Sequence, residues 1–240
     1  MSTVESRTMA RHPVVSHEEW VAARTTFLAR EKEFTRQRDE LSRARRELPW
    51  ERVEKEYVFE TPEGRRTLAE LFEGRSQLVV YHFMFGPDWE AGCKSCSFWA
   101  DGFAGIIPHL AHRDVTFAVV SRAPVAKLRA YAARLGWSFE WVSSLGSDFN
   151  VDFGVSFPEE QVASGEIPYN YGAHPAHGTE MPGVSVFVRD GETVFHTYSC
   201  YARGIDALQP AYQVLDLVPK GRDEADGPMR WLRRRDEYGA

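Results

Sequence analysis

The stretch from Gln77 to Phe103, QLVVYHFMFGPDWEAGCKSCSFWADGF, constrains what this chain can fold into more than any other. Leu78 to Phe85 is a continuous apolar, β-branched and aromatic run, which reads as a buried strand. Gly86-Pro87-Asp88 breaks it, because glycine permits unusual φ and proline cannot continue a ladder. Cys93-Lys94-Ser95-Cys96 follows, and the residues beyond it can run as a helix. Strand, loop, C-x-x-C and helix in that order place two thiols one turn apart at the start of a helix. Unpaired backbone N–H groups there favour a thiolate.

Bulk composition narrows the partners. The 240 residues carry a net charge of −6, which argues against nucleic acid, since phosphate binding wants a basic face. No run of 18 apolar residues exists, so no membrane span is expected. The opening MSTVESRTMARHPVV lacks the apolar segment of a secretory signal. Three cysteines cannot build a disulfide framework, and a cytoplasmic protein with a special thiol pair is the expectation.

Residues 1–15 read as a loose arm. Ser16-His17-Glu18-Glu19 has the form of a capping box, and the sequence stays helical to Leu48, where Pro49 stops it. Trp20, Phe27, Phe34, Leu41 and Leu48 fall seven apart and form one narrow stripe, widened by Val21 and Leu28. The favoured reading is a helix clasped against its own domain. The alternative is a homodimer through this helix, although Ala23, Arg30, Gln37 and Ala44 make a poor second seam.

Tyr57 to Phe59 signals a strand, Thr61 to Gly64 a turn, and Thr67 to Leu71 one helical turn ending at Gly74. After the central stretch, Ser97 to His112 can run as helix, interrupted by Gly102, Gly105 and Pro108, with a kink expected at the proline. Val115 to Val120 is a strand, Val125 to Leu135 a helix closed by Gly136, and Phe139 to Val142 a strand. A short helix is expected between Ser147 and Phe153. Residues 158–182 read as a turn-rich, mobile insertion. Val184 to Val188 and Thr193 to Tyr198 form a hairpin about Asp190-Gly191, followed by a helix from Ile205 to Leu217. The division is thus 1–50 arm and helix, 51–218 core domain, and 219–240 charged tail docked by Trp231 and Tyr238.

Long and unusual runs carry a family likeness: HFMFGPDWEAGCKSCSFWADGF, VSRAP, GWSFEWVSSLGSDFNVDFGV, YARG, LDLVPKGRDE and REKEFTRQRDELSRARRELPW. The chain resembles a bacterial family of uncharacterised function with a thioredoxin-like fold, over nearly its whole length. The resemblance implies an α/β thioredoxin-like fold in its peroxiredoxin-like variant: a central sheet with flanking helices and an N-terminal helical extension. It also implies a redox role, with Cys93 and Cys96 as the dithiol and Cys200 outside it. Met181-Pro182 stands where thioredoxin-like proteins carry a cis-proline facing the dithiol.

The leading expectation is thiol–disulfide oxidoreduction on a protein or small-molecule substrate, with Cys93 attacking, Cys96 resolving and Pro182 shaping the groove. Asp88, Trp89, Lys94 and Met181 are candidates for tuning the thiol or lining the groove. No G-x-G-x-x-G or P-loop is present, and no cofactor is called for. Inert core thiols are the plainer reading of the same pair. Thiol peroxidase chemistry at Cys93 is one rival, although a P-x-x-x-T-x-x-C signature is absent. Zinc or Cu(I) binding by Cys93, Cys96 and His82 is another. The remaining candidates for a fourth ligand are His109, His112, His174, His177 and Cys200, of which the histidines read more simply as helix-end or solvated loop residues.

Overall fold

The computed structural model describes residues 12–239, so most of the expected arm at 1–15 lies outside the described residues. In chain order the elements are α1 His17–Arg46, β1 Glu51–Arg52, β2 Val58–Thr61, β3 Gly64–Thr67, β4 Gln77–His82, α2 Lys94–Ala100 and α3 Ile107–His112. Then come β5 Val115–Ser121, α4 Val125–Leu135, β6 Glu140–Ser143, α5 Phe149–Asp152, α6 Glu159–Ala163, β7 Glu166–Ile167 and β8 His174–Pro175. β9 Gly183–Asp190, β10 Thr193–Tyr201 and α7 Pro210–Leu215 complete them, with 3₁₀ turns at Glu70–Phe72, Ala202–Leu208 and Arg235–Glu237.

The apolar run that ends in the C-x-x-C loop becomes β4, at the centre of a sheet ordered β1-β10-β9-β4-β5-β6-β2-β3. β5 runs parallel to β4, and β6 parallel to β5, because α3 and α4 supply the crossovers. On its other edge β4 pairs antiparallel with β9, which turns at Gly191 into β10. A central strand leading to a dithiol helix, parallel neighbours on one side and an antiparallel hairpin on the other, is a thioredoxin-like arrangement. The β2–β3 hairpin adds the peroxiredoxin-like lead-in at the far edge.

Both faces of β4 are covered. Tyr81 points into a cluster with Phe83, Phe85, Trp99, Phe103 and Trp141, while Leu78 and Val80 point into one with Phe59, Phe72 and Phe149. The alternation of strand side chains separates these two cores by one residue step. α2 and α4 belong to the first.

Several sequence expectations need correction. Ser97 to His112 is not one kinked helix: α2 ends at Ala100, a turn follows, and Pro108 opens α3 near its N-terminus, where its missing N–H costs nothing. The closing helix likewise splits into a 3₁₀ turn and α7, with Pro210 opening the latter. Residues 158–182 are not a bare loop: α6 and the β7–β8 pair occupy them, and Ile167 and Tyr169 are buried against Val155, Phe157 and Tyr201.

α1 has the capping box read from Ser16 and Glu19, with Ser16 Oγ accepting from the Glu19 N–H at 3.2 Å. It is not clasped against the body, because none of its residues is buried. Trp20, Phe27, Phe34, Leu41 and Leu48 stay 45–65% exposed. Its C-terminal end is held, with the Arg45 guanidinium 4.9 Å from the Tyr198 ring.

Candidate active site

The loop between β4 and α2 is tied down at each step. The Phe83 N–H extends the strand by donating to Val120 O. Gly86 lies under the Trp89 indole, where a Cβ would meet Nε1 at 2.8 Å. Lys127 Nζ, from the first turn of α4, donates to the carbonyls of Pro87 (2.8 Å) and Trp89 (3.0 Å). Gly92 passes so close to Phe83 that a Cβ would stand 2.7 Å from its ring. The Cys93 N–H then donates to Met84 O at 3.0 Å, which folds the loop back onto the strand that launched it.

Cys93 is the N-cap of α2, and its carbonyl accepts from the Ser97 N–H (2.9 Å) and the Ser97 hydroxyl (2.8 Å). Ser97 Oγ lies 2.9 Å from Tyr131 Oη, which donates to Gly92 O at 3.2 Å. Arg234, near the end of the chain, donates from Nε to Tyr131 Oη (2.6 Å) and from Nη2 to Gly92 O (2.8 Å). The peptide before the first cysteine is thus held from α2, α4 and the C-terminal segment together.

The two thiols differ in environment. Cys93 is half-buried, and its thiol is drawn down to about 6, chiefly by the hydrogen bond from the Cys96 thiol. Burial opposes that shift, while the N–H groups of Cys96 and Ser95 and the Ser95 hydroxyl reinforce it. Cys96 is buried and pushed up, first by burial and then by its bond to Cys93 and the charge there. The Met84 N–H reaches Cys96 Sγ at 3.4 Å. One sulfur is therefore a thiolate near neutral pH, and the other is the thiol that stabilises it.

The remaining sequence candidates distribute unevenly. Pro182 and Cys96 line the same cavity, but the Pro182 peptide is trans, because no described residue follows a cis bond. The expected cis-proline is thus corrected: the Pro182 carbonyl accepts from Tyr169 Oη (2.6 Å), which fixes this turn by a side chain. Met181 packs against the Val155–Tyr169 cluster instead. Trp89 is half-buried beside the loop, Asp88 is exposed, and Lys94 opens α2.

His82 is not with the cysteines. It faces the other core, against Phe149 and Phe153, and its Nε2 lies 2.8 Å from Ser185 Oγ. A chain continues from Ser185 to Ser199 (2.8 Å) and to His196 Nε2 (2.7 Å). The β-bulge between His196 and Tyr198 puts His196 and Ser199 on one face, which plain strand alternation forbids. Burial holds His82 neutral, drawing it down to about 3, and its Nδ1 has no partner. Among the described residues no cluster of three or more His, Cys, Asp or Glu is arranged to hold a metal ion. Cys200 packs on the Cys96 side of the sheet, its thiol raised by burial.

Sequence reasoning missed Ser97, Lys127, Tyr131 and Arg234. Tyr131 had a faint signal as an aromatic in the helix after the second parallel strand; Arg234 had none.

Sheet order and the C-x-x-C site together define a thioredoxin-like α/β protein with a dithiol at the start of a helix. The chain belongs to the family described as bacterial protein of unknown function (DUF899), whose model matches residues 9–238. No curated protein matches it. Among solved structures it is similar to peroxidoxin BcpB from Mycobacterium tuberculosis, at 16% identity and a TM-score of 0.44, over 67% of this chain and 94% of that one. A mutant of Xanthomonas campestris peroxiredoxin Q gives 16% and 0.42, over 65% and 90%. A Xylella fastidiosa PrxQ mutant gives 12% and 0.42, over 68% and 89%. At these values the peroxidase names stay with those proteins.

Proposed function

We propose that the protein is a thiol–disulfide oxidoreductase in which Cys93 attacks and Cys96 resolves. The observation that carries this reading is the opposed pair of thiols: Cys93 lowered by the hydrogen bond from Cys96, Cys96 raised by burial. The Cys93 thiolate attacks one sulfur of a disulfide and expels the other as a thiolate. Cys96 then loses its proton and attacks Cys93 Sγ, releasing the second half of the substrate and leaving Cys93–Cys96 oxidised. Two electrons pass to the substrate, and an external dithiol returns them. A reducing, cytoplasmic compartment suits such a cycle, and no described helix is long and apolar enough to cross a membrane.

The test is a redox titration of the Cys93–Cys96 pair against glutathione and dithiothreitol buffers. A midpoint between about −120 and −300 mV supports the reading; a pair that never oxidises in that span overturns it. Turnover of hydrogen peroxide at a Cys93 sulfenate, with no reduction of any disulfide, favours the peroxidase alternative instead.

Self-association through α1 is part of the same reading. A stripe of four large apolar residues left half-exposed on a 30-residue helix, continued by Leu48 just past its end, calls for a partner. The stripe is symmetric about Phe34, so a second copy running antiparallel sets Phe34 on Phe34, Phe27 on Leu41 and Trp20 on Leu48. Acidic Glu18 and Glu19 then lie near the partner helix's basic last turn, where Arg45 and Arg46 sit. Pairing the stripes buries on the order of 1,000 Å² in all, the lower bound for a specific interface. Sedimentation shows a dimer if this holds, and Phe34→Glu dissociates it. With the native cysteines replaced by serine, Phe34→Cys cross-links to itself and Trp20→Cys does not. A monomeric wild type, or self-linking at both positions, overturns it.

A further inference from the structure

Beside the dithiol lies a cavity of about 820 Å³, well within the range that holds a small organic molecule. Ser95 and Cys96, from the first turn of α2, form one side of it. Tyr81, Met84, Trp99, Pro182 and Ile205 make apolar walls. The C-terminal segment adds Arg222, Glu224, Pro228 and Met229, and His177, Arg203, Asp206 and Asp216 are the other polar residues of the lining.

That segment is fastened over the site. Trp231 packs edge-on against Phe98 of α2 at 5.7 Å, Leu232 is fully buried, and Arg234 reaches Gly92. Its charged groups are engaged with the protein. Arg222 donates from Nε and Nη2 to Asp216, each at 2.8 Å, and from Nη1 to Asp206 at 3.1 Å, and its guanidinium stacks 3.8 Å over Tyr212. Glu224 Oε1 accepts from the Met229 N–H, Trp231 Nε1 and Tyr212 Oη. Arg203 likewise pairs with Asp206 at 3.2 Å, so the arginines and acids of the lining neutralise one another, and beside His177 the surfaces left for a ligand are largely thioether and aromatic.

We propose that this chamber receives a neutral, apolar, low-molecular-weight disulfide, and that the segment 222–229 excludes protein disulfides from the site. The inference rests on the oxidoreductase reading and names its substrate class. A protein disulfide arrives on an extended chain and needs an open surface around the dithiol; here one flank is walled by Arg222, Glu224, Pro228 and Met229. An R–S–S–R molecule seated there against Cys96 must present a sulfur at the chamber's edge to Cys93, the N-cap of α2, which does not itself line the cavity. Cys93 takes one RS group and expels RS⁻, Cys96 closes the Cys93–Cys96 bond, and the second RS⁻ leaves. Both thiolates leave as RSH, taking up the protons that the two cysteines give up.

The experiment uses the reduced full chain. Its rate with 4,4′-dithiodipyridine and its rate with insulin are each divided by the rate of dithiothreitol with the same oxidant. The expected normalised preference for the small aryl disulfide is about 100-fold or more, and Met229→Trp lowers its rate roughly 10-fold by filling the chamber. An unchanged melting temperature and Cys93–Cys96 midpoint show that the variant is intact; Met229→Phe serves if the larger residue prevents folding. Equal normalised rates for insulin and the aryl disulfide overturn the inference, as does an unaltered aryl rate in both variants. Failure of the oxidoreductase reading is distinct: the pair then forms no disulfide with any oxidant.

Discussion

Arg234 donates to the carbonyl of Gly92 at 2.8 Å, across 142 positions of sequence, and so grips the peptide that precedes Cys93. The same guanidinium holds Tyr131 Oη, which itself donates to Gly92 O. The end of the chain therefore sets the geometry at the start of the dithiol.

Removing that grip has a measurable cost. Arg234→Ala leaves three partners, Gly92 O, Tyr131 Oη and Glu237 Oε1, short of a charge-assisted donor, with an expected loss of about 1.5–3 kcal/mol in urea unfolding. Arg234→Lys restores little, because an ammonium cannot reproduce two donors in a fixed fork. Recovery of full stability in the lysine variant counts against the bidentate grip.

Alkylation of Cys93 by iodoacetamide follows its thiolate. The rate has its midpoint near pH 6, well below an ordinary thiol. Cys96→Ala moves that midpoint up, since the largest stabilising bond is lost, whereas Cys96→Ser, which still donates, keeps it low. The sign for stability follows from the lowered folded value: the contribution is fully present above the unfolded thiol's pKa and is lost as pH falls through about 6. A midpoint near 8.5 in the wild type contradicts this account.

Gly92→Ala puts a methyl group 2.7 Å from the Phe83 ring and 3.2 Å from that of Tyr131. Both rings belong to the packed core, so the strain is about 1–3 kcal/mol and appears as a lower melting temperature. Gly146→Ala is the comparison for backbone strain alone, with positive φ and nothing within 4 Å of its Cβ. Equal losses at the two positions refute the crowding argument.

Glu180 is buried and its carboxyl is raised by that burial, against the bonds from Ser156 (2.6 Å) and Arg122 (3.0 Å). Because the folded value lies above the unfolded one, its favourable term is complete below the unfolded pKa and disappears as pH rises through the raised value. Glu180→Gln is therefore expected to flatten stability against pH on the acid side of neutrality. Chemical denaturation across that range checks it, and an unchanged slope refutes it.

The parts of the fold legible in advance are those with strong local codes. Ser16 and Glu19 close a capping box within one turn, Gly136 ends α4 in the left-handed region at φ 64°, and Gly191 makes the β9–β10 turn. The apolar run before Cys93 announced a central strand because both its faces are buried. A proline suits a kink and a helix start alike, and Pro108, expected as a kink, stands in the first turn of α3, as Pro210 does in α7.

By itself, the sequence determined the β-α-β order, the dithiol at a helix start and the stripe of Trp20 to Leu48, since each depends on neighbours within a few residues. Only the tertiary structure decided the rest of the Gln77–Phe103 region's setting. Sheet pairing sent His82 to the face opposite Cys96, and packing left α1 without a cover. The return of the C-terminal segment brought Arg234 and Met229 to the site. Such contacts are fixed by shape and burial between distant elements, and no local pattern encodes them.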